Sequence, residues 1–255
     1  MKLVTTNYNY NRPSFHSWKR EVYKKSKDNI YKELKHRNDT WFCRDGFRNG
    51  AIYDYVIKKF KNIDKVNTYF WGCSNGCEVY TFLNELFAKF GPKTAEKFGP
   101  IIALDYDPIA IFNAKLGCYP IENQEIIDLE KHHGQKITEN FHIIYNPLNI
   151  KEVTHVIPKQ KLKKCVKFDI SDITKDCSRM KAKNNLIFAR NMWPYLEPSK
   201  IYQYAKNLYN HIGNNSSLII GDYDIAGWRW HGINTNELFK NAGFKQTTIP
   251  TIFEK

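Results

Sequence analysis

From Ser14 to Lys35, Phe15, Trp18, Val22, Ile30, Tyr31 and Leu34 recur at helical spacing, with lysine and arginine between them. This predicts one or two amphipathic helices with a basic outer face. A second helical stretch runs from Gly46 to Phe60, with Ile52, Tyr53, Val56 and Phe60 on one side. From Val66 the pattern changes to strand, glycine turn, helix. The run Val66-Asn-Thr-Tyr-Phe-Trp71 is rich in β-formers and is followed by Gly72-Cys-Ser-Asn-Gly76, then by a helix carrying Val79, Tyr80, Leu83, Leu86 and Phe87. A second strand, Pro100 to Leu104, ends at Asp105, and a helix carrying Ile109, Phe112 and Leu116 comes next. Asn185–Ala189 and Ser217–Ile220 are short apolar runs suited to buried parallel strands, separated by a helix from about Pro198 to His211.

Short strands alternating with helices predict an α/β, Rossmann-like doubly wound sheet. Residues 121–135 read as a polar helix, and residues 140–168, broken by Pro147 and Pro158, read as a small antiparallel β insertion. The expected organisation is a short basic helical subdomain over residues 1–60 followed by one ligand-binding domain over residues 61–255.

Composition narrows the classes. The chain has 255 residues and 42% hydrophobic content, enough for a packed core. No apolar run approaches the roughly 18 residues of a membrane span, and Met1 to Arg12 lacks the apolar segment of a secretory signal. Six cysteines are scattered without CxxC spacing, so neither a disulfide framework nor a zinc motif is expected, and reduced thiols suit the cytoplasm. The formal net charge of +13 favours an acidic protein, nucleic acid or anionic surface as partner.

In an open α/β sheet, ligands bind at the carboxyl ends of the strands where strand order reverses. Gly72 and Gly76 supply unusual backbone dihedrals there, and the following helix offers free N–H groups. Asp105, ending the second strand, can accept hydrogen bonds from ribose hydroxyls. The GxGxxG pattern is absent, which weakens a nicotinamide-cofactor reading.

Six segments in order make the pattern specific. Asn38-Asp-Thr40-Trp-Phe42-Cys-Arg44 resembles the N-x-T-x-F-F-R segment of CheR-type chemotaxis receptor methyltransferases. Trp71-Gly-Cys-Ser-Asn-Gly76-Cys-Glu78-Val-Tyr80 is similar to that family's W-S-A-x-S-T-G-E-E-P-Y turn. Ala103-Leu-Asp105-Tyr-Asp107 resembles A-T/S-D-I-D, and Ala114-Lys-Leu-Gly117-Cys-Tyr119 resembles A-R-x-G-x-Y. Val166-Lys-Phe168 with Asp172-Ile173 corresponds to V-x-F followed by N-L, and Ile187-Phe-Ala-Arg190-Asn191 through Tyr195-Leu196 resembles I-F-C-R-N-V-x-I-Y-F.

The resemblance implies a methyltransferase that uses S-adenosyl-L-methionine and releases S-adenosyl-L-homocysteine. It implies that Asn38, Thr40 and Arg44 face the cofactor's methionine end, that Glu78 accepts from its amino group and that Asp105 accepts from its ribose hydroxyls. Asp172 and Ile173 would contact adenine, while Arg44, Arg190 and Tyr195 would line the place where the methyl group meets the acceptor. The implied acceptor is a glutamate carboxylate on an acidic protein of the chemoreceptor kind. Methylation of nucleic acid is the alternative enzyme reading, and a cofactor-sensing module without turnover is the non-enzyme one. An ionised carboxylate needs no general base for this displacement, and no metal is expected. Asp107 reads as a helix cap. The region before Asn38 is shorter than the helical amino-terminal domain of the family, and Lys19, Arg20, Lys24, Lys25, Lys27, Lys32 and Lys35 would supply the basic face in abbreviated form.

Overall fold

The structure, a computed structural model, describes residues 50–144, 153–175, 177, 180, 183–227 and 232–255. The predicted helices between Ser14 and Lys35 lie outside these residues. In chain order the elements are α1 (Gly50–Lys59), β1 (Asn67–Trp71), α2 (Cys77–Glu85), α3 (Pro92–Phe98), β2 (Ile101–Asp105) and α4 (Pro108–Leu116). Then come β3 (Tyr119–Glu122), α5 (Asn123–His133), β4 (Phe141–Ile144), β5 (Val153–Pro158), α6 (Gln160–Lys163), β6 (Val166–Ile170) and β7 (Asn185–Phe188). The chain closes with α7 (Ile201–His211), β8 (Ser217–Ile219), α8 (Asp222–Gly227), α9 (Thr235–Ala242), β9 (Lys245–Gln246) and β10 (Ile252–Glu254).

Seven strands form the main sheet in the order β6-β2-β1-β7-β8-β10-β9. The first five run parallel, and β10 pairs antiparallel with both β8 and β9. Strand order reverses between β1 and β7, which opens a crevice at their carboxyl ends. This is the α/β Rossmann-like sheet that the alternation of elements predicts.

Side chains alternate between its two faces, as the two-residue strand period requires. Phe70 of β1, Ala103 of β2 and Phe188 of β7 join one core cluster; Tyr69, Trp71, Leu104 and Ile187 join the other. In the first cluster Phe70 and Phe188 stack with centroids 4.3 Å apart, and Phe82 of α2 meets Phe188 at 5.0 Å and Phe98 edge-on at 6.0 Å. Helix α1 adds Ile52, Tyr53, Val56 and Phe60 to the same cluster. The Lys59 ammonium lies 2.6 Å from the Glu254 carboxylate, which also accepts from the Tyr55 hydroxyl, so α1 is tied to the last strand.

The expected antiparallel insertion exists as a three-stranded sheet in the order β3-β5-β4. Its membership differs from the reading of residues 140–168. The sheet begins at Tyr119, whereas Val166–Phe168 belong to β6, which pairs in parallel with β2. Pro120 obscured β3, but β3 is an edge strand, where a missing N–H costs no ladder bond. As an edge strand of the main sheet, β6 is half-exposed and lacks the continuous apolar run of a buried parallel strand.

A second difference concerns α4. Its inward residues are the small Ala110 and Ala114 with Ile111, while Ile109, Phe112 and Leu116 are exposed. The reason is close approach: a Cβ placed on Gly76 would lie 3.1 Å from the Ala114 Cβ. A larger residue on that face would push α4 off the turn.

Truncations separate core from surface. Phe188→Ala removes a ring 1% exposed and is expected to cost about 3–5 kcal/mol in urea denaturation. Phe112→Ala, at a ring 61% exposed, is expected to stay within about 0.5 kcal/mol of wild type. Similar losses for both would contradict the packing described.

Candidate functional site

Strands β6, β2, β1 and β7 are adjacent and parallel, so their carboxyl ends share one edge. Along it the sequence sets Asp172 and Ile173 just beyond β6, Asp105 at the end of β2, the glycine turn and Glu78 after β1, and Arg190 after β7. Three strand intervals of about 4.8 Å give this row the scale of an extended nucleoside.

The turn after β1 is held in an unusual shape. Gly72, Ser74 and Gly76 have φ of 64°, 51° and 81°, and Gly76 ends the turn as the left-handed N-cap of α2. At Gly76 a Cβ would also sit 2.9 Å from the Phe168 ring, so glycine is required twice over. The Cys73 amide donates to the Leu104 carbonyl at 3.0 Å, and the Asn75 side chain accepts from the Cys77 amide at 3.2 Å.

Asp105 anchors this turn. Its Oδ2 accepts from the Ser74 amide at 2.7 Å, and its Oδ1 accepts from the Asp107 amide at 3.0 Å. Burial raises its carboxyl above the usual range, against the pull of those amides. With the Tyr106 amide also turned to it, the carboxylate still keeps acceptor capacity, so it can hold the turn and accept from a ribose hydroxyl. The Ser74 hydroxyl is buried and has no hydrogen-bond partner among the described residues, a polar atom in the turn that a ligand group would satisfy. Asp107 caps α4, accepting from the Ile109 amide at 2.8 Å.

Glu78 and Arg190 meet. The Arg190 guanidinium donates to Glu78 Oε1, with the two side chains 4% and 20% exposed. They approach from the first turn of α2 and from the end of β7, across the point where strand order reverses. Toward β6, Asp172 accepts from the Thr174 amide at 3.1 Å, from the Thr174 hydroxyl at 2.6 Å and from Lys175 at 2.8 Å. Burial alone would raise its carboxyl, but these donors hold it below its ordinary value. Ile173 is buried in the second core cluster.

A residue match now decides the family. The model of the CheR methyltransferase SAM-binding domain matches residues 38–226. The chain belongs to this family. The Chemotaxis protein methyltransferase of Borreliella burgdorferi is 26% identical over 190 residues, which are 72% of this chain and 63% of that protein. The chain thus spans less than two thirds of the length of the curated relative it matches. Among solved structures, an O-methyltransferase family protein from Burkholderia thailandensis aligns at TM-score 0.47 and 10% identity, covering 93% of this chain and 68% of that one. The magnesium protoporphyrin IX methyltransferase from Synechocystis, solved with bound SAM, aligns at TM-score 0.41 and 10% identity, covering 96% and 91%.

The group bound by this CheR-family domain is S-adenosylmethionine. The structure brings Gly72, Gly76, Glu78, Asp105 and Arg190 to the edge between β2 and β7, and sets Asp172 and Ile173 on the next strand. Tyr195 lies in the short helical turn Trp193–Tyr195, with its ring 6.4 Å from that of Tyr223. Asn38, Thr40 and Arg44 fall outside the described residues.

Sequence reasoning missed Asp224. This carboxylate is fully buried and accepts from three backbone amides: Asn191 at 2.6 Å, Gly221 at 2.7 Å and Trp193 at 3.1 Å. It fixes the loop that carries Arg190, and Asn191, at φ 57°, returns a bond by accepting from the Tyr223 amide at 3.2 Å. Gly221 is obligatory, because a Cβ there would fall 2.0 Å from the Asn191 side-chain oxygen. The available signal was Gly221-Asp-Tyr-Asp224 directly after a buried strand, at the same carboxyl edge.

Burial pushes Asp224 up to about 7, against the opposing pull of its three amides and of Arg190. The folded state therefore holds this proton more tightly than the unfolded chain, whose aspartate titrates near about 4. Its contribution is fully present below the unfolded value and is lost as pH rises through about 7. Asp224→Ala should accordingly destabilise more at pH ~5 than at pH ~8 in urea denaturation. A loss that grows toward alkaline pH would contradict this assignment.

Proposed function

We propose that this chain transfers the methyl group of S-adenosylmethionine to glutamate carboxylates on an acidic protein of the chemoreceptor kind. The observation that carries the reading is the Glu78–Arg190 ion pair, its arginine buried and its glutamate partly exposed, at the reversal point of the sheet beside an Asp105-anchored glycine turn. Glu78 takes the ammonium of the cofactor's amino acid end while Arg190 turns to the acceptor carboxylate, so neither charge is left without a counter-charge. Support for the acceptor comes from the matched relative, a chemotaxis protein methyltransferase, and from the net charge of +13, which suits an acidic partner. The five free cysteines among the described residues suit a cytoplasmic location.

When bound, the cofactor supplies a methyl carbon made electrophilic by its positive sulfur, and the methyl passes to a carboxylate oxygen as the carbon–sulfur electron pair returns to sulfur. The chain's task is alignment and exclusion of water. Asp105 holds the ribose end, with Asp172 and Ile173 toward adenine and Gly72 and Gly76 letting the backbone come close. Glu78 fixes the amino group. Arg190, kept in place by the Asp224-clamped loop, orients the acceptor with Tyr195 and with Arg44. Asn38 and Thr40 complete the methionine end.

Two variants and a chemical test check the reading. Asp105→Ala should abolish cofactor binding in calorimetry, with circular dichroism confirming the fold. Arg190→Lys keeps the charge but loses the planar fork; binding should change by a few fold while turnover falls on the order of a hundredfold. Tritiated cofactor incubated with a cell lysate should give protein label released as methanol in mild base. Base-stable label confined to RNA would overturn the acceptor assignment, tight binding without any transfer would overturn the enzyme assignment, and unchanged affinity in Asp105→Ala would overturn the ribose assignment.

A further inference from the structure

Away from this edge, Glu85 at the end of α2 faces His132 and His133 in the last turn of α5. Glu85 and His133 have side chains 3% and 5% exposed, and His132 stands at the rim with 28%. Glu85 Oε2 is 2.5 Å from His133 Nε2, and its Oε1 is 3.7 Å from His132 Nε2. Oε1 is buried with no hydrogen-bond partner among the described residues. One ligand atom from each of the three residues fits within a 4.8 Å span.

We propose that Glu85, His132 and His133 form a site for a divalent transition-metal ion of the zinc class, stapling α2 to α5. Two imidazoles and a carboxylate are a set zinc accepts, with water at a fourth position. Ligands on a tetrahedral ion with bonds of about 2.1 Å sit about 3.4 Å apart, so the present spacings need only small side-chain rotations. Oε1, with the Lys89 ammonium at 3.6 Å but no hydrogen bond among the described residues, would gain a direct bond, and the His133 hydrogen bond to Oε2 would give way to a bond to the ion. Neighbouring helical residues ordinarily point about 100° apart. Here both rings nevertheless reach one carboxylate from the last turn of α5.

The surroundings supply the outer shell. His133 Nδ1 lies 3.4 Å from the Asn84 amide nitrogen, and Asn84 Oδ1 accepts from Asn140 at 2.7 Å. Exchanging oxygen and nitrogen in both amides keeps their mutual bond and offers an oxygen to His133 Nδ1–H, the arrangement a ligating histidine uses. The opposing charge is Lys89, 3.6 Å from Glu85 Oε1, but Asp54 at 3.0 Å draws it outward. Glu130 and Lys136 nearby pair with each other at 3.1 Å. Scattered cysteines gave no hint of this site, since it uses no thiol and joins residues 47 apart in sequence, the difference between 132 and 85.

The test uses the full chain, freed of metal with a chelator and titrated with zinc chloride in a calorimeter. Because the chain holds 8 histidines and 6 cysteines, the site is read as a difference between proteins. Glu85→Gln and His132→Ala should each weaken the tightest binding event by about tenfold or more. The rim variant His132→Ala guards against misfolding, and its thermal midpoint in chelator should match wild type. Zinc should raise the wild-type midpoint and leave both variants unmoved. Cobalt(II) should give four-coordinate absorption without a thiolate band. Equal binding in all three proteins, or a thiolate band on the tightest site, would overturn the proposal and leave an ordinary glutamate–histidine hydrogen bond.

Discussion

A parallel sheet leaves bare amides in the loops beyond its strand ends, and the geometry of this domain depends on how they are satisfied. Two carboxylates divide the work. Asp105 gathers the Ser74 and Asp107 amides beside β1 and β2, and Asp224 gathers those of Asn191, Gly221 and Trp193 beside β7 and β8. Hydrogen bonds to a charged acceptor contribute about 1.5–3 kcal/mol each, which offsets much of the cost of burying the carboxylate. Because both clamps act through backbone, they fix where side chains begin without occupying the side chains themselves.

Glu78 and Arg190 are the beneficiaries. Each leaves a loop or helix end that a clamp has fixed, and they meet across the reversal point as an ion pair with Arg190 buried and Glu78 partly exposed. Such a pair adds little net stability compared with apolar packing, and removing one partner strands the other. We propose that its place at the crevice serves ligand charges that can be exchanged for it.

Much of this was legible in the sequence because it rests on local chemistry. Gly72 and Gly76 mark a turn that needs positive φ, Asp105 follows an apolar strand, and the segments through Arg190 keep family spacing. Asp224 was not legible, because its partners at Asn191 and Trp193 lie over thirty residues away and only the fold joins them. The inward face of α4 was misleading for a related reason. Its larger apolar residues Ile109, Phe112 and Leu116 are exposed, whereas Ala110, Ile111 and Ala114 face inward and the small Ala114 lies at the approach to Gly76. For β3 and β6 the difficulty was edge position, where Pro120 and polar residues are tolerated and the pattern no longer names the partner strand.

The central claim is that Asp105 performs two tasks with one carboxylate, holding the turn and receiving the ribose. A crystal structure of the chain with S-adenosylhomocysteine tests it most directly. The account predicts ribose hydroxyls within hydrogen-bond distance of Asp105 while the Ser74 amide remains bonded to it, with the amino acid end reaching Glu78. Density for the ligand at another edge, or an Asp105 that must release Ser74 to receive it, would contradict the account.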